Sequence, residues 1–314
     1  MDFQNPLMKE EAVLFGETKS LVGIVTDPPN GTGRRLGPAV ILLNPGIVHR
    51  VGPGRVYVKI ARALAAAGFV ALRFDFSGIG DSGVRRDHLQ FEKSAVREAQ
   101  DAMDWLNATR GISHFILLGG CSGALVALQT ACRDLRVVGA VLMNFPVPED
   151  DQAAAVTDHI NRSAGYYYWN FALFDLKSWR KLLTGKANYR NLIRVLKGQA
   201  RTKFTPPKKL LLETTQLQAQ LRQLADRDIH LTFVCSQGDP SVDDLREAGG
   251  NELKHLQLLG RMTLQVIPRS DHTFSSIYDH ERLLRVILER LASTTPAIRK
   301  PDYIPEEFAT PRPA

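Results

Sequence analysis

The sequence predicts an α/β protein: a mainly parallel sheet with helices on both faces. Three observations carry that prediction. Six short apolar runs alternate with stretches of helical spacing. Most of those runs are too apolar for a sheet with one wet face, so both faces must be covered. The chain's 314 residues, 44% of them hydrophobic, suffice for one large domain with an insertion and require no second core.

Two further strand-like runs, Glu11–Phe15 and Ser20–Asp27, open the chain and read as an antiparallel edge, followed by a Gly/Pro-rich turn over Pro28–Gly37. The six central runs are Ala39–Gly46, Phe69–Phe76, His114–Gly120, Val137–Phe145, Leu231–Ser236 and Thr263–Pro268. Helical periods lie between and after them, at Val56–Ala67, Ala95–Ala108, Gly123–Arg133, Leu245–Leu259 and Asp279–Leu291. Asp104 and Trp105 fall mid-helix and read as ordinary helix surface and core.

The alternation stops after Phe145 and resumes near Ile229, a gap too long for a structureless loop in a compact domain. The expected organisation is therefore a core over 1–147 and 229–293, a helical cap over 148–228 and a Pro-rich tail over 294–314. Aromatics from Tyr166 to Trp179 either line an acyl or aryl pocket or form the cap's own small core. The stretch Arg201–Lys209, with its Pro pair, reads as a linker between cap helices.

The chemistry concentrates where the run His114–Gly120 passes through Cys121, Ser122, Gly123 and Ala124 into a helix. A serine on a sharp strand-to-helix turn presents its hydroxyl clear of the backbone, and the first helix amides face a developing oxyanion. Ser122 is thus the candidate nucleophile, in a small-residue variant of Gly-x-Ser-x-Gly with Ala124 at the last position. The competing reading of Ser122 is a helix N-cap. Cys121 reads as a buried packing residue. A nucleophile needs a base and an orienting acid. Asp239 follows one later strand-like run and His272 the next, in the chain order Ser, Asp, His that goes with one particular triad architecture. Glu149, Asp150, Asp151, Asp243 and Asp244 are alternative acids, and Asp271 reads as a loop-structuring group.

Four separated motifs resemble those of the α/β-hydrolase fold over Gly37 to Leu291: Asn44–Gly46 the oxyanion loop, Phe74–Gly83 the turn after the next strand, Gly238–Pro240 the acid loop and Asp271–Phe274 the histidine loop. The resemblance implies an oxyanion hole formed by the Ile47 and Gly123 amides. The runs Arg50–Gly83 and Ser178–Lys186 are similar to the exosortase A system-associated hydrolases and the serine-aminopeptidase-like group around them. That narrower likeness implies a hydrolase linked to bacterial surface-polymer or protein-sorting loci.

The reaction expected is hydrolysis of a carboxylic ester or thioester through an acyl-enzyme. Acyl transfer or peptide cleavage by the same triad, or an inactive scaffold, are the alternatives. The three side chains and two amides complete that mechanism, so no cofactor and no metal is implied. The net charge of +7 is uneven. Between Asp151 and Asp228 stand 14 Lys and Arg against 6 Asp and Glu, a balance of +8 that leaves the remainder at −1. This segment either steers anionic or carrier-bound acyl substrates or is a solvated helix face. Arg50 and Arg55 are further candidates for an anionic group. No nucleic-acid module is recognisable. No run reaches the roughly 20 apolar residues of a membrane span. The start lacks a signal peptide's basic and apolar regions, and the three cysteines, Cys121, Cys132 and Cys235, have no metal-ligand spacing, so a cytoplasmic location is expected.

Overall fold

The computed structural model describes residues 8–29, 37–87, 89–146, 210–227, 229–237 and 239–294. Eight strands form one sheet: β1 (Lys9–Phe15), β2 (Leu21–Asp27), β3 (Ala39–Leu43), β4 (Ala71–Phe74), β5 (Phe115–Gly120), β6 (Val137–Met143), β7 (His230–Ser236) and β8 (Met262–Ile267). Their order across the sheet is β1-β2-β4-β3-β5-β6-β7-β8. The contacts of β2 with β1 and β4 are antiparallel, and every other neighbouring pair is parallel. The helices are α1 (Val56–Ala66), α2 (Phe91–Arg110), α3 (Ser122–Arg133), α4 (Leu210–Ala225), α5 (Ser241–Leu258) and α6 (Ile277–Thr294).

The two-residue period of a strand explains why the central runs are apolar throughout. In β3, Val40 and Leu42 enter one core with α1 and α6, through Ile60, Leu64, Leu283 and Ile287. Ile41 and Leu43 point the other way, into a core shared with Met103 of α2, Leu128 of α3 and Leu256 of α5. All five β3 residues are fully buried. Both faces of the sheet are therefore dry, as the continuous hydrophobic runs require.

Of the segment expected to be a cap, only 210–227 falls among the described residues, as does little of the expected tail beyond Leu291. Leu217, Leu221 and Leu224 of α4 are fully buried in the core that α3 and α5 share. Gln218 of α4 donates to the Ala248 carbonyl of α5, and Arg222 pairs with Glu252. This helix is thus part of the body. Tyr166–Trp179, Arg201–Lys209 and the acids Glu149–Asp151 lie outside the described residues.

Parallel strands gather their C-terminal ends at one edge of the sheet. The loops after β3, β4, β5, β6, β7 and β8 all converge there, which brings residues from 44 to 274 into one neighbourhood.

Candidate active site

The strand β5 runs to Gly120, so the residue on the turn itself is Cys121, and Ser122 is already the first residue of α3. Cys121 has φ 50° and ψ −123°. A non-glycine residue held there costs on the order of 1 to 3 kcal/mol and persists only where its surroundings enforce it. The enforcement is visible on both sides. A Cβ on Gly119 would stand 2.3 Å from the carbonyl carbon of Gly123, and one on Gly123 would stand 2.4 Å from the Leu43 carbonyl oxygen. Gly119 and Gly123 are therefore the small residues that let β5, α3 and the end of β3 close up, and the residue midway between them is Cys121. The register of the turn differs by one position from the expectation centred on Ser122.

The side chains at this turn diverge. Cys121 is partly exposed, not buried as expected, and its side chain lies beside the imidazole of His272. The Ser122 hydroxyl points toward the loop after β3 and accepts a 2.7 Å hydrogen bond from the Gly46 amide. The predicted pairing of Asp239 with His272 is present: His272 Nδ1 lies 2.6 Å from Asp239 Oδ2. Asp239 is almost fully buried, and its other carboxylate oxygen accepts from the Ser241 amide at 2.9 Å. Asp243 and Asp244 lie one turn further on, in the first turn of α5.

Burial disfavours a charge on His272, but the hydrogen bond to Asp239 and its carboxylate charge, with the Cys121 side chain beside it, outweigh it and push the histidine up to about 10. The imidazole is thereby a stronger proton acceptor than a free histidine. Its loop is tied down at three points. Asn144, at φ 42° directly after β6, donates from Nδ2 to the His272 carbonyl at 2.6 Å and accepts at Oδ1 from the Ser236 amide at 2.7 Å. Asp271 accepts from the Thr273 and Ser275 amides, both at 3.0 Å. The buried ring of Phe274 anchors the far end in the core under α6.

Two further side chains hold the opposite wall. Tyr57 of α1 is fully buried; its hydroxyl donates to the Leu43 carbonyl at 2.9 Å and accepts from the Gly120 amide at 2.9 Å, clamping β3 to β5 beside Cys121. Burial drives the phenol strongly toward its neutral form. Asp75, also fully buried, accepts from the Arg50 amide and pairs with its guanidinium, whose other nitrogen meets Asp81 at 2.6 Å. Asp81 and Asn44 add weaker donors to Asp75 at 3.2 and 3.4 Å. Arg50 is thus engaged by two carboxylates of the loop that follows β4, where the sequence reading offered it to an anionic group.

With Cys121 on the turn, the amide one residue beyond it is that of Ser122, and Gly46 supplies the facing amide from the β3 loop. The expected pair was Gly123 and Ile47. The Gly123 backbone is instead packed against Leu43 and Asn44, and the Ile47 side chain stands open to solvent. Among the described residues no group of three His, Cys, Asp or Glu side chains has the arrangement of a metal site.

The model of the alpha/beta hydrolase family matches residues 40–286. The chain belongs to that family. Among solved structures, this hydrolase superposes on a proline iminopeptidase of Mycobacterium smegmatis at TM-score 0.56 and 16% identity, covering 91% of this chain and 98% of that one. The esterase PF2001 of Pyrococcus furiosus gives TM-score 0.57 and 16% identity over 90% and 91% of the two chains. XC6422 of Xanthomonas campestris, described as an α/β serine hydrolase without lid, gives 0.51 and 17% over 95% and 99%. At these identities the likeness is one of fold. No curated protein is significantly similar in sequence. No described helix of this alpha/beta hydrolase is long and apolar enough to cross a membrane.

Proposed function

We propose that this alpha/beta hydrolase cleaves carboxylic esters or thioesters through a Cys121-His272-Asp239 triad. The observation that carries the reading is the conformation of Cys121, the only strained residue at the β5–α3 turn, whose thiol meets the histidine that Asp239 orients. Ser122, the nucleophile expected from sequence, has its hydroxyl engaged with Gly46 instead.

The steps follow from the geometry. The Cys121 thiol gives its proton to His272, and the sulfur attacks the acyl carbon. The carbonyl oxygen takes up negative charge at the Ser122 amide, on the side that faces the loop after β3. The C–O or C–S bond to the leaving group breaks as His272 returns the proton to it. Water, deprotonated by His272, then attacks the acyl-sulfur bond and releases the acid and the thiol. Asp239 fixes the imidazole tautomer and stabilises its cation throughout.

A sulfur nucleophile narrows the substrate class. The tetrahedral intermediate formed from an amide expels thiolate more readily than an amine, because the lower-pKa group departs first. A thioester, or an ester of an acidic alcohol such as a phenol, presents a leaving group that competes with the enzyme sulfur. Anionic or carrier-bound acyl groups fit the positive balance of residues 151–228. The narrower kinship with the exosortase A system-associated hydrolases rests on residues 50–83 and 178–186 and belongs to the same reading.

The test is stoichiometric alkylation with iodoacetamide followed by peptide mass spectrometry, beside the variants Cys121→Ala and Ser122→Ala. One adduct at Cys121, loss of esterase turnover in step with labelling, and a Cys121→Ala variant at least about 1000-fold slower are expected. Full activity in alkylated protein refutes the thiol mechanism.

A further inference from the structure

We infer that the hydroxyl of Ser122 is a second donor to the oxyanion, beside the Ser122 amide and backed by the Gly46 amide; this rests on Cys121 as nucleophile. A hydroxyl offers one hydrogen and two lone pairs. At Ser122 a lone pair is used by the Gly46 amide at 2.7 Å, and among the described residues the hydroxyl has no other partner. Its hydrogen is therefore available to donate. The ordinary structural employment of a serine at a helix start is capping, and that is excluded: the cap position of α3 belongs to Cys121, and no side chain caps the helix. Ser122 is also partly exposed, whereas Gly123 and Ala124 behind it are buried.

Position makes the reaction oxygen the natural acceptor. The amide expected to bind it belongs to Ser122 itself, and the hydroxyl of the same residue stands beside it, held by the Gly46 amide. As the acyl oxygen gains charge, the Gly46 amide polarises the hydroxyl, and the hydroxyl donates onward. The hydrogen bond strengthens as charge develops, so its contribution falls on the rate of acylation more than on substrate binding.

The experiment uses the full chain, p-nitrophenyl butyrate as substrate and iodoacetamide as a probe that reacts at sulfur without forming an oxyanion. Ser122→Ala is expected to lower kcat by about 100-fold to 1000-fold with KM changed less than about three-fold. The rate of Cys121 alkylation is expected to stay at the wild-type value, and Ser122→Thr, which keeps the hydroxyl, to recover most of the turnover. Unchanged kcat in Ser122→Ala overturns the proposal. So does an equal loss of turnover and of alkylation, which marks a deformed turn. If alkylating Cys121 leaves wild-type turnover intact, the thiol mechanism itself fails and Ser122 stands as the nucleophile.

Discussion

At Cys121 the backbone is bent into a conformation that most side chains avoid, and the thiol it presents meets a histidine whose proton affinity the fold raises. That affinity makes a prediction about stability. A histidine whose ordinary value is 6.5 and which is pushed up to about 10 in the fold binds its proton more tightly folded than unfolded. Its contribution is complete below about pH 6.5 and is lost as pH climbs through about 10. The melting temperature is therefore expected to fall between pH 7 and 10, and the fall to be shallower in Asp239→Asn, measured by differential scanning fluorimetry across that range. The same variant is expected to lose about 100-fold to 10,000-fold in kcat, since the imidazole then lacks both its orienting acceptor and its counter-charge. His272 and Asp239 were legible in the sequence because each follows a well-marked strand. The residue on the turn, our proposed nucleophile, was harder. The motif can be read as Gly119 to Gly123 around Cys121 or as Gly120 to Ala124 around Ser122, and only the last residue of β5 decides between them. Strand ends are set by hydrogen bonding, here the Cys121 amide to the Met143 carbonyl, and that bond leaves no trace in composition.

Among the elements, β3 and β5 are the rails on which the site is mounted. Their apolar runs announce them in the sequence, since a strand buried on both faces has no polar alternation to mask it. Ile41, central in β3 and fully buried, is expected to cost about 2 to 5 kcal/mol when changed to Ala, checked by urea denaturation. The clamp between the two strands was not legible. Tyr57 lies in α1 and reads there as another apolar-face residue, yet its hydroxyl bridges Leu43 and Gly120. Tyr57→Phe leaves the Gly120 amide buried without an acceptor, at a cost of about 1 to 3 kcal/mol. Because that amide adjoins Cys121, the variant is expected to slow alkylation as well as to lower the melting temperature. Asn144 escaped notice for the same reason: a side chain that bonds distant backbone carries no local pattern.

Across the whole molecule the groups of the proposed site come from far apart in the chain, at 46, 121, 239 and 272, and the sheet order brings them together. The positive balance of residues 151–228 is legible only as charge, because its placement depends on a segment outside the described residues. Its expected signature is kinetic: kcat/KM for a negatively charged acyl thioester falls as ionic strength rises from 20 to about 300 mM, whereas that for p-nitrophenyl butyrate stays level. The sheet order has one more consequence. His272 follows β8, the strand at the sheet's far edge, and the Asn144 that grips its carbonyl is itself held by the Ser236 amide at the end of β7. On the proposed triad, a chain still emerging from the ribosome carries Cys121 without its base until the final parallel strand has joined. Completion of the fold and arming of the thiol are then one event.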